Sequence, residues 1–198
     1  MKLDLVHDIQ TSYRKVVDSM SRPGLISDLS EEVEKLDMDA GCFPSTLVLA
    51  MMLLDTEVTF KVFSEKGDQV THLFRQLTYA KTAETDQADF IFILQDAAVG
   101  DLQNVLDKAK IGTLIDPHDS ATIIVESVGL SEDTSLRLMG PGIEHAAFAQ
   151  ILLNVDWMEL REERNAEFPL GLDLIFIDSA NHLLCLPRTT QITKEGGS

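Results

Sequence analysis

The alternation of strand-like and helix-like segments predicts an α/β protein, a sandwich with a mixed sheet between layers of helix. Three observations carry that prediction. The run FIFIL at 90–94 is continuous, β-branched and aromatic between polar flanks, the pattern of a strand buried on both faces. Residues 7–20 place Ile9, Tyr13, Val16, Val17 and Met20 on one helical stripe. Near the C-terminus, strand-like runs at 172–177 and 183–186 flank the turn residues Asp178-Ser179-Ala180-Asn181. They read as a hairpin, which makes the sheet mixed rather than purely parallel.

The elements follow in order. Ser21-Arg22-Pro23-Gly24 ends the first helix, because Pro23 disfavours helical geometry at Arg22 and Gly24 admits a turn. Leu25-Ile26 starts a short strand, and the polar, acidic residues 28–42 read as a loop. Pro44 suits the first turn of a helix over 44–54, PSTLVLAMMLL, which is apolar nearly all round and therefore buried. Residues 58–63 read as a strand, and Val70, Leu73, Phe74 and Leu77 share one face of a second amphipathic helix. After FIFIL, Leu102, Val105, Leu106 and Ala109 mark another. Strands are expected at 121–128 and 134–139. A helical stretch is expected over 145–165, with Asp156-x-x-Glu159 as a capping box inside it. Gly196-Gly197-Ser198 reads as a frayed tail.

With 198 residues, 44% of them hydrophobic, the chain is long enough for one domain over 1–198 with a full core. Sixteen Lys and Arg against thirty-three Asp and Glu give a net charge of −17. Nucleic-acid binders need basic stripes that release counterions, and anionic membranes attract polybasic segments, so neither partner is expected. Residues 84–133 hold eleven acids and only Lys108 and Lys110, which reads as a solvated acidic face. Cys42 and Cys185 are the only cysteines and sit far apart in apolar neighbourhoods, so no disulfide framework is expected, and no Cys-x-x-Cys exists for zinc or redox work. The longest apolar run, 47–54, is eight residues, and no secretory signal opens the chain, so a cytoplasmic location is expected.

The motif search is mostly negative. There is no P-loop, no Gly-x-Gly-x-x-Gly fingerprint and no Gly-x-Ser-x-Gly elbow. The histidines at 7, 72, 118, 145 and 182 show no metal-ligand spacing. Asp116-Pro117-His118-Asp119 reads as a loop. No lysine occurs between Lys110 and Lys194, so a Schiff-base mechanism has no residue to use in the second half of the chain. No catalytic, cofactor-binding or metal-binding residue is assigned.

Three segments resemble one family, the H subunit of the carbon–phosphorus lyase core complex (PhnH) of bacterial phosphonate degradation. They are YRKVVDSMSRPGLI, LRLMGPGI and FPLGLDLIFIDSANHLLCLPRTTQI, in matching order and spacing. The resemblance implies a three-layer α/β domain similar to the large domain of pyridoxal-phosphate-dependent transferases, without that cofactor, which agrees with the lysine gap. It implies the G, I and J subunits as partners. It also implies a share, with the G, I and L proteins, in displacing the base of a nucleoside triphosphate by a phosphonate to give a ribose 1-phosphonate 5-triphosphate. A separate subunit later breaks the carbon–phosphorus bond. Two roles remain open: an assembly subunit without catalysis of its own, and a contributor to the anionic-substrate site. A standalone enzyme ranks below both. A homodimer is expected in isolation, with helix 44–54 and the C-terminal hairpin as candidate contacts that core packing explains equally well.

The candidate site residues sit in the three segments. Arg188, with Thr189 and Thr190, follows the last strand-like run, and in open α/β sheets ligand sites gather beyond the carboxyl ends of strands. Its planar fork suits a substrate anion, a partner's carboxylate or an internal ion pair. The expectation is that these three matter to the assembled complex more than to the fold. Arg22 reads as a residue at a helix stop, or as an arginine presented by a rigid turn to a partner or an anion. Gly140 and Gly142 flank Pro141 in a turn whose N–H groups suit an anion less than a plain change of direction.

Overall fold

Strand FIFIL does sit in the middle of the molecule. In the computed structural model, which describes residues 7–36 and 38–195, it becomes β4 (Phe90–Ile93), paired in parallel with β2 (Thr59–Phe63) on one side and β5 (Thr122–Glu126) on the other. β8 (Asp173–Ile177) continues the parallel run beside β5, and the two-residue β3 (Lys81–Thr82) closes the far edge beside β2. β9 (His182–Leu186) turns back antiparallel to β8, and β1 (Ile26–Asp28) pairs antiparallel with β9. The sheet order is therefore β1-β9-β8-β5-β4-β2-β3, with β9 alone reversed. The protein is mixed α/β, as expected.

Side chains alternate across this sheet with period two, and both faces are buried. Ile91, Ile93, Ile123, Val125, Leu174 and Phe176 enter one core; Phe92, Ile124, Ile175, Ile177 and Cys185 enter the other. The second core lies under α1 (His7–Ser21), α3 (Pro44–Leu53) and α4 (Gly67–Thr78), where Phe60, Phe74 and Phe92 pack with ring centroids 5.2–6.5 Å apart. The first lies under α5 (Asp101–Lys108) and α6 (Met158–Arg164), with Trp157 against Phe176 at 5.1 Å. Residues 45–50 of α3 are all buried inside the chain, as the sequence predicts, so core packing accounts for that helix.

Four expectations are corrected. The stretch 145–165 is not one helix: 147–152 is strand β7 (Ala147–Leu152), and only α6 is helical. Phe148, Ile151 and Leu152 mimic helical spacing, but pairing with β6 (Gly129–Met139) decides the matter. α6 starts one residue after Trp157, which makes no side-chain cap. From the helix itself the Asp156 side chain accepts a 3.4 Å bond from the Met158 N–H and none from Glu159, so the capping box does not form. The strand expected at 134–139 begins instead at Gly129. Together with β7 and β10 (Gln191–Lys194) it makes a second, three-stranded antiparallel sheet whose Leu130, Leu136, Leu138 and Ala149 join the first core. One layer over the main sheet is thus part helix and part sheet. Within the expected loop 28–42, Ser30–Val33 forms a single helical turn, α2, and buried Glu32 meets the Lys15 ammonium at 2.9 Å. The tail 196–198 lies outside the described residues.

Candidate functional site

The direction of β9 decides where the candidate residues go. Because β9 alone is reversed, the turn after Leu186 lies beside the amino ends of β8 and β5, not at the carboxyl edge where α/β ligand sites ordinarily gather. β1 runs parallel to β8, so the turn before it, Arg22-Pro23-Gly24, lies on the same amino edge. The third segment joins them. A side chain at Gly142 would put its Cβ 2.0 Å from the Ser21 carbonyl oxygen, and one at Gly140 would lie 2.8 Å from the Thr189 carbonyl oxygen. Both glycines have positive φ, and the Ile143 N–H closes the turn onto the Gly140 carbonyl at 3.2 Å. They are glycines because two other turns pass against them, with a left-handed backbone besides. Arg22, Gly140, Gly142 and 188–190 are therefore brought together.

Arg22 pairs with Asp18 one helical turn back, with about half of each side chain exposed. Arg188 is more deeply engaged. Its guanidinium meets both oxygens of Asp173 (Nη2–Oδ2 2.5 Å, Nε–Oδ1 3.3 Å), donates to the Pro117 carbonyl at 2.9 Å and reaches the Ser120 hydroxyl. Its backbone N–H also donates to Asp173 at 2.7 Å. Arg188 and Asp173 are 18% and 19% exposed, so this pair is screened less than a surface one. The pair pins the 111–120 loop, the one expected around Asp116-Pro117-His118-Asp119, against the end of the hairpin. At the tip of that loop Leu114 and Ile115 stand exposed, Ile115 almost completely.

The residue that sequence reading passed over is Arg161. It is 3% exposed at the middle of α6, and its Nη1 and Nη2 donate to the carbonyls of Thr190 (3.1 Å) and Pro187 (2.7 Å), clamping the turn that carries Arg188. No carboxylate reaches it within ion-pair distance among the described residues. Burial pushes its guanidinium down to about 10, against the opposing pull of Asp173 and Glu162, and it remains charged at neutral pH. Among the described residues its Nε–H has no acceptor, and the hydroxyl of Thr190, itself 3% exposed, has no partner. The signal was present: Arg161 falls four residues after Trp157, on the apolar stripe of its helix, where a cation is out of place.

Arg161, Asn165, Phe168, Arg188, Thr190 and Ile192 line a cleft of about 620 Å³ on this edge. Asn165 fixes its wall, donating to the Leu172 and Arg188 carbonyls at 3.1 and 3.3 Å and accepting from the Leu172 N–H at 2.8 Å. Nearby, Asp89 holds Thr59 and Lys110, and Lys110 also meets Asp119 at 2.5 Å.

The carboxyl edge is closed by a different device. Glu126, 6% exposed at the end of β5, accepts from the Phe43 N–H and Thr46 hydroxyl at 2.6 Å each and from the Gln95 N–H at 2.9 Å. It supplies the cap that the α3 N-terminus lacks on its own chain segment. Burial holds its carboxyl above the usual range despite these bonds. Cys42 and Cys185 are free, and burial pushes both thiols up, which makes them poor nucleophiles. Among the described residues no cluster of three His, Cys, Asp or Glu is placed to hold a metal, and no helix is long and apolar enough to cross a membrane.

Comparison with known proteins agrees with the motifs. Residues 3–193 match the family described as bacterial phosphonate metabolism protein (PhnH). The chain is 28% identical over 191 residues to a putative C-P lyase subunit protein, HtxG, of Stutzerimonas stutzeri, covering 94% of this chain and 87% of that protein. It is also 28% identical over 193 residues to the alpha-D-ribose 1-methylphosphonate 5-triphosphate synthase subunit PhnH of Rhizobium meliloti (strain 1021), covering 97% and 94%. With a match along almost its entire length and the three quoted segments packed against one another on one edge of its sheet, the chain belongs to the PhnH family of bacterial phosphonate metabolism proteins.

Proposed function

We propose that this protein is a subunit of the carbon–phosphorus lyase core complex, supporting formation of an α-D-ribose 1-alkylphosphonate 5-triphosphate from a nucleoside triphosphate and a phosphonate. Its role is assembly, with the G, I and J subunits as partners in the cytoplasm and a homodimer of single-domain chains in isolation. The family match over 3–193 and the names of two relatives as subunits support this reading. The likeness to the large domain of pyridoxal-phosphate-dependent transferases rests on the family resemblance, and the lysine gap from 111 to 193 supports a cofactor-free version of it.

The observation that carries the assembly role is the loop 111–120. Arg188 spends its charge on Asp173 and on this loop, which leaves Leu114 and Ile115 exposed on a braced support. Exposed apolar residues on a fixed loop suit insertion into a partner's pocket. In this reading Arg188 acts in the complex by holding the loop, with Thr189 and Arg22 beside it on the same face. Co-expression with the G, I and J subunits tests it. Ile115→Asp should melt as the parent does and lose the copurifying subunits; undiminished copurification would remove the amino edge from the assembly.

A further inference from the structure

We propose that the groove between the C-terminal end of α4 and edge strand β3 docks an acidic, extended segment of a partner protein, with Tyr79 as its aromatic anchor and Arg75 and Lys81 as its counter-cations. This surface shares no residue with the 111–120 loop, and the inference does not rest on the assembly reading. Its test uses the isolated chain, so loss of copurification would leave it standing.

The first reason is Tyr79. Among the described residues, Tyr79 and Asn181 are the non-glycine residues with positive φ. Asn181 belongs to the hairpin turn, where asparagine is ordinary. Tyr79 stands where α4 ends, at φ 61°, a position that glycine usually fills. A bulky side chain in that left-handed backbone carries a conformational penalty. This one is also 75% exposed, so little packing offsets it. An aromatic ring held under both penalties at the mouth of a groove suits contact with another molecule.

The second reason is charge. A cavity of about 500 Å³ beside Tyr79 is lined by His72, Arg75, Gln76, Lys81 and Thr82 and by no carboxylate, in a chain where thirty-three acids face sixteen bases. At Thr82 it meets a second cavity, of about 620 Å³, that Lys61 and Lys66 line. Glu65 and Asp68 line that second cavity too, beside the start of α4, so the basic end of the groove is the one at Tyr79. Lys61 meets the exposed Glu84 at 3.2 Å. Among the described residues no carboxylate lies within ion-pair distance of Arg75 or Lys81. Arg75 also complements the dipole in the last turn of α4, but Lys81 lies beyond the helix and has no such task.

The third reason is the open edge. The Lys81 and Ala83 N–H groups point inward, to the Val58 and Phe60 carbonyls at 3.5 and 3.0 Å, so the N–H and carbonyl of Thr82 face away from the sheet. No strand pairs with that side among the described residues. An extended segment laid there gains a pair of backbone bonds and lies beside α4. A two-residue edge bearing a lysine turns away uncharged strands, so carboxylates on the incoming segment are what hold it. The net charge of −17 opposes a polyanion such as a nucleic acid. A short acidic strand presents carboxylates about 7 Å apart on one face, enough for two cations without that repulsion.

The experiment is a titration of the full chain followed at its backbone amide resonances. The probes are an eight-residue peptide of alternating Glu and Val, the same peptide with Lys for Glu, and an octathymidylate. The Glu peptide should shift the Tyr79 and Thr82 signals saturably, and weaken about tenfold between low salt and about 0.5 M salt. Arg75→Glu and Lys81→Glu should each weaken it about tenfold. Tyr79→Gly should melt at the parent's temperature or above it, since glycine suits the left-handed position, and still bind about tenfold more weakly. Absence of a saturable shift at Tyr79 and Thr82 overturns the inference, as does octathymidylate or the Lys peptide binding as tightly. So does a Tyr79→Gly protein that binds undiminished, or one that melts below the parent and thereby makes the tyrosine a packing residue.

Discussion

The two edges of the main sheet are built on opposite principles. At the carboxyl edge a single buried carboxylate, Glu126, gathers three donors from two separate segments, with no cation in contact among the described residues. At the amino edge, guanidinium and ammonium groups brace the loops: Arg188 with Asp173 and the 111–120 loop, Lys110 with Asp89 and Asp119, Arg161 with the 187–190 turn. The difference follows from what each edge must do. The carboxyl edge is satisfied internally, and the position favoured for ligands in open α/β sheets is filled by the protein's own helix end. The amino edge gathers several chain segments, and it is there that a cation, Arg161, has no carboxylate within ion-pair distance among the described residues.

Removing the carboxyl-edge device should have the largest effect. Glu126→Ala leaves three donors without acceptors and should cost about 3–5 kcal/mol in urea unfolding, at about 1–3 kcal/mol per buried unsatisfied group with partial relief from water. Glu126→Gln sharpens the point through pH. Burial holds the Glu126 carboxyl above its ordinary 4.5, so the folded state binds the proton more tightly than the unfolded state does. The stability this proton confers is complete below the unfolded value and is lost as pH rises through the folded one, a decline the Gln protein should not show.

Next in size is the amino-edge brace. Arg188→Ala strands a largely buried Asp173 and releases the 111–120 loop; a loss of about 2–4 kcal/mol is expected, with a melting temperature lower by about 5 °C or more. Faster amide exchange at residues 117–120 should accompany it. An unchanged melt would show that the two edges do not differ as described. Asp89→Asn should cost about 1 kcal/mol, because a third of the Asp89 side chain remains open to solvent screening. Burial pushes that carboxyl up, but hydrogen bonds from Lys110 and Thr59 outweigh it and hold it below 3.8. Its contribution is therefore present above that unfolded value and disappears as pH falls through the folded one. Smallest of all, Arg22→Ala removes an exposed pair within one helix and should stay within about 0–1 kcal/mol by thermal melt.

Much of this was legible in the chain because local chemistry and tertiary structure agree there. The helix stop at Pro23-Gly24, the buried helix after Pro44, strand FIFIL and the hairpin turn at Asp178 all form where expected. In that turn the Asp178 carboxylate receives the Ala180 and His182 N–H groups at 2.9 and 3.0 Å. The segment Ala147–Leu152 was misread because six apolar and amide side chains fit a helical stripe and a strand equally, and only pairing with β6 distinguishes them. The site was half legible. Residues 22, 140, 142 and 188–190 were singled out, yet the cation that lacks a counter-ion, Arg161, was not.

By itself the sequence determined most of the strands and helices and which of their faces are apolar, Ala147–Leu152 excepted, because the periods of 2 and 3.6 and the turn residues act over a few neighbours. It also determined the family, through three short segments in order. Only the tertiary structure decided what the arginines do. Whether Arg188 meets a ligand or Asp173, and whether Arg161 has a counter-ion, depends on β9 running against its neighbours. It depends too on partners 15 to 71 residues away in the chain, a distance over which no local pattern carries information.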